Sequence, residues 1–263
     1  MEREQSIYDF IPLAEGVSSQ LSPTDRYFIS FPRSGRTWIA RALRIAIQIT
    51  RNGSKISEPL VRECIVGKRK NRNLNEAGPD WKNPYAQSVN PGFLLTHSWD
   101  GLHPEARGPH LFLFRSPDDV MVSYFNYASF HGYIDPDKIT LTDYARGNLP
   151  WWIAHTREAL NRAANISVNK PSWKFLSYES FFLAPSAKLS TIAGYLGEEI
   201  PESDCRQILE ILTPAFIKEV KGNYASLKAG PGSGTASLPG DVREEIETLA
   251  MPLYWKALKL END

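Results

Sequence analysis

Arg26-Tyr27-Phe28-Ile29-Ser30-Phe31-Pro32-Arg33-Ser34-Gly35-Arg36-Thr37-Trp38 is the stretch whose reading decides the fold. Its first six residues form a short, mostly apolar run, which predicts a buried strand, and Pro32-Arg33-Ser34-Gly35 stops it. From about Thr37, Trp38, Ile39, Ala42, Leu43, Ile45 and Ala46 recur at helical spacing, with Arg41 and Arg44 off that face, and Asn52-Gly53 closes the helix. A strand that turns through glycine, two hydroxyls and two cations into a helix N-terminus is an anion cradle. Free backbone N–H groups and the helix dipole favour a phosphate, Gly35 permits close backbone approach, and Ser34 and Thr37 have hydroxyls to donate. The GxxxxGK[ST] spacing of the nucleoside-triphosphate loop is not there, and taken alone the segment also reads as a helix-capping turn.

The same alternation continues downstream. Gly92-Phe93-Leu94-Leu95-Thr96 predicts a second strand with His97 at its carboxyl end, and Leu111-Phe112-Leu113-Phe114 a third that runs into Arg115. Ser116-Pro117-Asp118-Asp119 is a helix start, with serine as N-cap, proline in the first turn and two acids against the positive end of the dipole. That helix is expected to run to about Phe130, and a further one to cover 151–164. Trp173-Lys174-Phe175-Leu176 predicts a fourth strand, and 187–196 a helix closed by Gly197. After two more helices, Gly230-Pro231-Gly232-Ser233-Gly234 reads as a flexible loop before an acidic, amphipathic final helix. Residues 1–24 read as an N-terminal extension, and 54–91, 131–150 and 221–239 as loops that receive an acceptor or form a lid. Buried strands alternating with helices imply an α/β fold over 1–263, a single domain with a mostly parallel central sheet flanked by helices. Ligands of such sheets bind outside the carboxyl ends of the strands, where the cradle, His97 and Arg115 all fall.

Composition narrows the partners. Thirty Lys and Arg balance thirty Asp and Glu over 263 residues, so no global surplus favours nucleic acid or an anionic membrane, and any anion site must be local. Cys64 and Cys205 lack metal or disulfide spacing, which points to a reducing, cytoplasmic setting. No apolar run approaches the roughly 20 residues that span a bilayer, and the acidic start does not resemble a signal peptide.

Residues 31–38 resemble the phosphosulfate-binding loop of the cytosolic sulfotransferase family, usually a proline, a lysine or arginine, then Ser-Gly-Thr-Thr-Trp. Leu113-Phe114-Arg115-Ser116-Pro117-Asp118-Asp119-Val120-Met121-Val122-Ser123-Tyr124 is similar to the family's second signature, in which an arginine and a later serine bind the extra ribose phosphate of the nucleotide. Thr96-His97 resembles a Thr-His pair whose histidine is the general base, and Ser177-Tyr178-Glu179 a Tyr-Glu-Asp segment whose tyrosine lies near adenine. Phe216 stands where the family has an aromatic over that base, and Lys228-Ala229-Gly230 looks like a worn Arg-Lys-Gly clamp on the ribose phosphate.

The resemblance implies a nucleotide-kinase-like sulfotransferase fold. It implies transfer of a sulfuryl group from phosphoadenosine phosphosulfate (PAPS) to a hydroxyl or amine of a small-molecule acceptor, with PAP as product and no metal. Arg33 and His97 are the implied catalytic residues; Arg33, Ser34, Gly35, Arg36, Thr37, Trp38, Arg115, Ser123, Tyr178, Phe216, Lys228, Ala229 and Gly230 are the implied donor-binding set. Arginine cannot readily give up a proton, so Arg33 acts electrostatically, whereas a neutral histidine accepts one. Arg36 replaces the family's first threonine; it either supplements the donor site or points toward the acceptor. Lys218 or Lys221 is available to share the task of Lys228. Asp80, Trp81, Trp99, Asp100 and Asp135 would suit a polar, even cationic, natural product as acceptor. A small-molecule or nucleoside kinase and a catalytically silent PAPS-binding or PAP-binding paralogue are the competing readings.

Overall fold

The computed structural model describes residues 24, 26–51, 53–66, 93–97, 99, 102, 105–165, 172–221, 231–232 and 234–262. Four parallel strands, β1 (Arg26–Ser30), β2 (Phe93–Thr96), β3 (His110–Phe114) and β4 (Trp173–Ser177), lie in the order β2-β1-β3-β4. The register sets Ile29 beside Thr96 on one side and Phe112 on the other, and Phe114 beside Ser177. From β1 the chain goes first to one neighbour and then returns to the other. That reversal opens a crevice at the carboxyl ends of β1 and β3, the place where sheets of this order bind ligands.

Alternating side chains bury both faces of the sheet. Tyr27, Ile29, Phe112, Phe114 and Phe175 enter one core with residues of α3 (Pro117–Phe130), α4 (Leu141–Ala164), α9 (Gly240–Leu249) and α10 (Met251–Asn262). Phe28, Leu111, Leu113 and Leu176 enter the other, with residues of α1 (Arg36–Arg51), α2 (Glu58–Val66), α5 (Tyr178–Leu183), α6 (Pro185–Tyr195), α7 (Glu202–Ile211) and α8 (Pro214–Lys221). The period of two is what a strand covered on both faces requires. At the amino end of β1, away from the crevice, Arg26 pairs with Glu198 at 2.9 Å and also donates to the Leu196 carbonyl.

Several elements differ from expectation, and one of them is α2 (Glu58–Val66), which lies within the stretch 54–91 read as a loop. Residues 141–150, read as part of a loop, are the first turns of α4, with Pro150 inside the helix. Thr140 caps that helix by accepting the Asp143 N–H at 3.1 Å, and buried Tyr144, Ala145 and Leu149 give it an apolar face that outweighs the proline. The final helix is two, because Ala250 breaks the run and Pro252 sits in the first turn of α10. The loop before α9 is anchored where it is described: Gly232 and Gly234 donate their N–H groups to Asp119 at 2.8 and 2.7 Å, and a 3-10 turn follows at Thr235–Ser237.

Candidate active site

The cradle is assembled by unusual backbone. Arg33 has φ 69° and Gly35 φ 91°, two left-handed residues that turn β1 into α1 within a few positions. Only Gly35 adopts this freely; Arg33 does so at a cost of about 1 kcal/mol or more. Glycine is required at 35 for a second reason, because a Cβ there would run into the Tyr178 ring. The close approach anticipated for a ligand is therefore made first by a side chain of the protein. Ser34 is fully buried, and its Oγ has no hydrogen-bond partner among the described residues. Thr37 is exposed, and Trp38 is half-buried, edge-on to Phe181, with its indole N–H donated to the Leu212 carbonyl at 3.3 Å.

The two cations of the loop diverge. Arg33 turns toward α3, where its Nε donates to Ser123 Oγ at 3.3 Å and its guanidinium lies 4.5 Å from the centre of the Tyr127 ring. The charge of Arg36 acts on His97, more strongly than that of Arg33, and on His155.

Arg115, at the end of β3, is buried with its guanidinium 4.5 Å from the Tyr178 ring centre. It pairs with Asp119 at 3.1 Å, yet its Nε is buried without a hydrogen bond among the described residues. Asp119 thus holds Arg115 and the Gly232–Gly234 turn with one carboxylate. Ser116 makes no side-chain cap on α3, contrary to expectation; its N–H instead donates to Glu179 Oε1 at 2.9 Å. Glu179 Oε2 accepts from the Tyr254 hydroxyl at 3.1 Å, and burial pushes the Glu179 carboxyl up. Glu261 of α10 accepts the Ser177 N–H at 2.9 Å, which fixes the end of β4 from which Tyr178 projects.

His97 follows β2. Its Nδ1 lies 2.5 Å from the Ser30 carbonyl oxygen and 3.3 Å from Ser30 Oγ. A carbonyl only accepts, so Nδ1 carries the proton and Nε2 keeps a lone pair. Burial first, and then the Arg36 charge, hold His97 well below the usual histidine range, with His155 and Arg33 acting the same way against the Ser30 bond. The imidazole is therefore neutral at neutral pH. His155 is buried and donates from Nε2 to the His97 carbonyl at 3.1 Å.

Other expected contributors are placed differently. Phe216 is buried beneath the Arg62 guanidinium, 4.9 Å from its ring centre. Trp99 stacks on Phe112 and tilts against His155, which makes it core rather than an open acceptor wall. Asp135 pairs with Lys138 at 3.1 Å. Lys228, Ala229, Gly230, Asp80, Trp81 and Asp100 lie outside the described residues. Tyr127 and His155 were not singled out in the sequence, Asp119 stood there only as a helix-start acid and Glu179 only as part of the Tyr178 segment, and the acid against Arg115 at i, i+4 was the local signal for their pairing.

Residues 23–230 match the family model described as Sulfotransferase domain. The chain belongs to the sulfotransferase family. It is 22% identical over 242 residues to human Sulfotransferase 2B1, covering 82% of this chain and 58% of that protein. It is 22% identical over 246 residues to rabbit (Oryctolagus cuniculus) Sulfotransferase 1C2, covering 87% and 74%. Among solved structures, retinol dehydratase in complex with androsterone and PAP superposes with a TM-score of 0.62 at 17% identity, over 89% of this chain and 81% of that one. Mouse sulfotransferase SULT7A1 complexed with PAP gives 0.58 at 14% identity, over 92% and 89%. The sulfotransferase fold is thereby shown. Among the described residues no helix is long and apolar enough to cross a membrane.

Proposed function

We propose that this chain transfers a sulfuryl group from PAPS to a hydroxyl or amine of a small-molecule acceptor, with His97 as general base. The observation that carries the reading is the convergence of both anion-binding motifs at the β1/β3 crevice. Arg33 of the first meets Ser123 of the second at 3.3 Å, and the Tyr178 ring lies between Gly35 and the Arg115 guanidinium. Membership of the sulfotransferase family supports the same reading.

The residues present fit the donor. A buried hydroxyl at Ser34 and a buried guanidinium N–H at Arg115, both without partners among the described residues, are groups that a bound oxyanion would satisfy. Ser34, Thr37 and the loop amides would hold the 5′ end. Arg115 and Ser123 would hold the ribose phosphate, with Lys228, Ala229 and Gly230 as the remaining clamp, and Trp38 and Tyr178 would bound the adenine. PAPS, when bound, supplies an activated sulfuryl group. Arg33 stabilises negative charge on the departing side and, as an arginine, does not donate its proton. His97 Nε2 accepts the proton of the acceptor, while Nδ1–H stays on the Ser30 carbonyl and holds the ring in one orientation.

The test is nucleotide discrimination. PAP should bind far more tightly than AMP, and Arg115→Ala should weaken PAP by about 10- to 100-fold while leaving AMP nearly unchanged. Calorimetric titration of both ligands into both proteins measures it. Equal losses for PAP and AMP would remove Arg115 from the ribose-phosphate site.

A further inference from the structure

Arg36 is the one loop cation whose position the donor does not explain. Its Nη1 is buried and has no hydrogen-bond partner, and no carboxylate acts on it among the described residues. Its nearest charged influence is a second arginine, Arg44, which lies further along α1 and whose own Nε is also buried without a partner. Burial and Arg44 together push the Arg36 guanidinium down to about 9. A cation with no compensating partner among the described residues carries a desolvation cost that a ligand of opposite charge would offset. Groups of this kind concentrate where a ligand of opposite charge completes them.

The partners of the two loop cations say which part of the site that ligand meets. Ser123, Arg115 and Tyr178, which would read the nucleotide, follow β3 and β4, and Arg33 leans toward them. Arg36 acts on His97, which follows the edge strand β2, more strongly than Arg33 does, and it also acts on His155. Of the two loop cations it is thus the one more closely coupled to the base that would face the acceptor.

We infer that Arg36 is an acceptor-binding residue that recognises an oxyanion, most simply a carboxylate, carried by the molecule to be sulfated. This rests on the sulfotransferase reading and narrows it: the acceptor is an anionic hydroxy or amino compound. The guanidinium fork pairs with a carboxylate through two parallel N–H···O bonds, which fixes the distance from the anion to the nucleophile. An acceptor of that kind fills the unused Nη1 and removes the penalty of the isolated charge. It also explains why a residue with a fork, rather than a small hydroxyl, occupies this position.

The experiment uses 4-hydroxybenzoate and its methyl ester, titrated by calorimetry into the PAP-saturated protein and into Arg36→Gln. The wild type should prefer the acid over the ester by about 10- to 100-fold, and the variant should bind both alike. PAP affinity, measured on the same samples, should be equal in the two proteins, which also shows that the variant is folded. Arg36→Lys, which keeps the charge and loses the fork, should retain part of the preference. A preference for the acid that survives in Arg36→Gln, or no preference in the wild type, overturns the inference. So does a variant that loses affinity for PAP, or loses more for PAPS than for PAP, since Arg36 would then serve the donor's phosphate or sulfuryl oxygens. If PAP does not bind even the wild type, it is the sulfotransferase reading that fails. The same titrations without nucleotide then decide the role of Arg36 alone.

Discussion

At the scale of single residues, the site depends on how two side chains are denied their usual protonation behaviour. His97 is held neutral by burial and by Arg36, and its tautomer is set by the Ser30 carbonyl. If Nε2 takes the acceptor's proton, His97→Ala should cut turnover by about 10²–10⁴ and leave PAP affinity unchanged. Because the folded pKa lies well below 6.5, neutral imidazole dominates at neutral pH, and the rate should fall only on the acid side of the usual histidine range. The pH–rate profile of the alanine variant should lack that limb. Arg36→Gln should move it upward, because the charge that holds His97 down is gone. A wild-type profile that turns at the ordinary histidine value, or an alanine variant of near-normal turnover on an alcohol, would send the search for the base elsewhere.

At the scale of elements, contacts distant in sequence tie the carboxyl ends of the strands into one rim. Asp119 in the first turn of α3 accepts from Arg115, Gly232 and Gly234, so one carboxylate orients the Arg115 guanidinium and anchors the turn before α9. Removing it leaves Arg115 buried and unpaired, which costs about 3–5 kcal/mol. Asp119→Ala should therefore lower the melting temperature markedly and expose the glycine turn to proteolysis, whereas Asp119→Asn, which keeps an acceptor oxygen, should do less of both. Equal effects from the two substitutions would mean that the charge, and not the hydrogen bonding, holds the turn.

The elements themselves were largely legible. Short apolar runs ended by a breaker gave β1, β3 and β4 to within a residue, and Ser-Pro-Asp-Asp gave α3 (Pro117–Phe130). Residues 141–150 were misread because Pro150 and polar neighbours hide a face that only the packing of Tyr144 and Leu149 makes worthwhile. The cradle, Arg115 and Ser123 were visible as local patterns. The partners that orient them were not: Asp119 to Gly234, Ser116 to Glu179, and His155 to the His97 carbonyl join positions that no periodicity connects.

At the scale of the whole molecule, buried His110 and His155 and half-buried His97 tie stability to pH. His110 and His155 are pushed down to about 4, and His97 is lowered well below 6.5, in each case chiefly by burial. The unfolded chain then binds more protons than the folded one below about pH 6.5, so stability is intact above that value and lost as pH falls toward 4. Each histidine contributes at most about 1.4 kcal/mol per pH unit, and Glu179, raised by burial, works in the opposite direction with a single group. Urea midpoints should therefore drop between about pH 7 and about pH 5. A flat dependence would mean that these imidazoles are not buried neutral.

The account as a whole holds that the crevice at β1 and β3 serves a sulfuryl donor rather than a nucleoside triphosphate. The most direct measurement is a transfer assay with sulfur-labelled PAPS, run beside terminally labelled ATP, against a panel of hydroxy and amino acceptors that includes 4-hydroxybenzoate, with chelator and with Mg²⁺. The predicted result is label passing from PAPS to an acceptor, PAP forming in equal amount, chelator without effect, and no transfer from ATP. Label that moves from ATP only when Mg²⁺ is present would make the chain a kinase. PAP binding without any transfer across the panel would make it a silent binder, and either result contradicts the account.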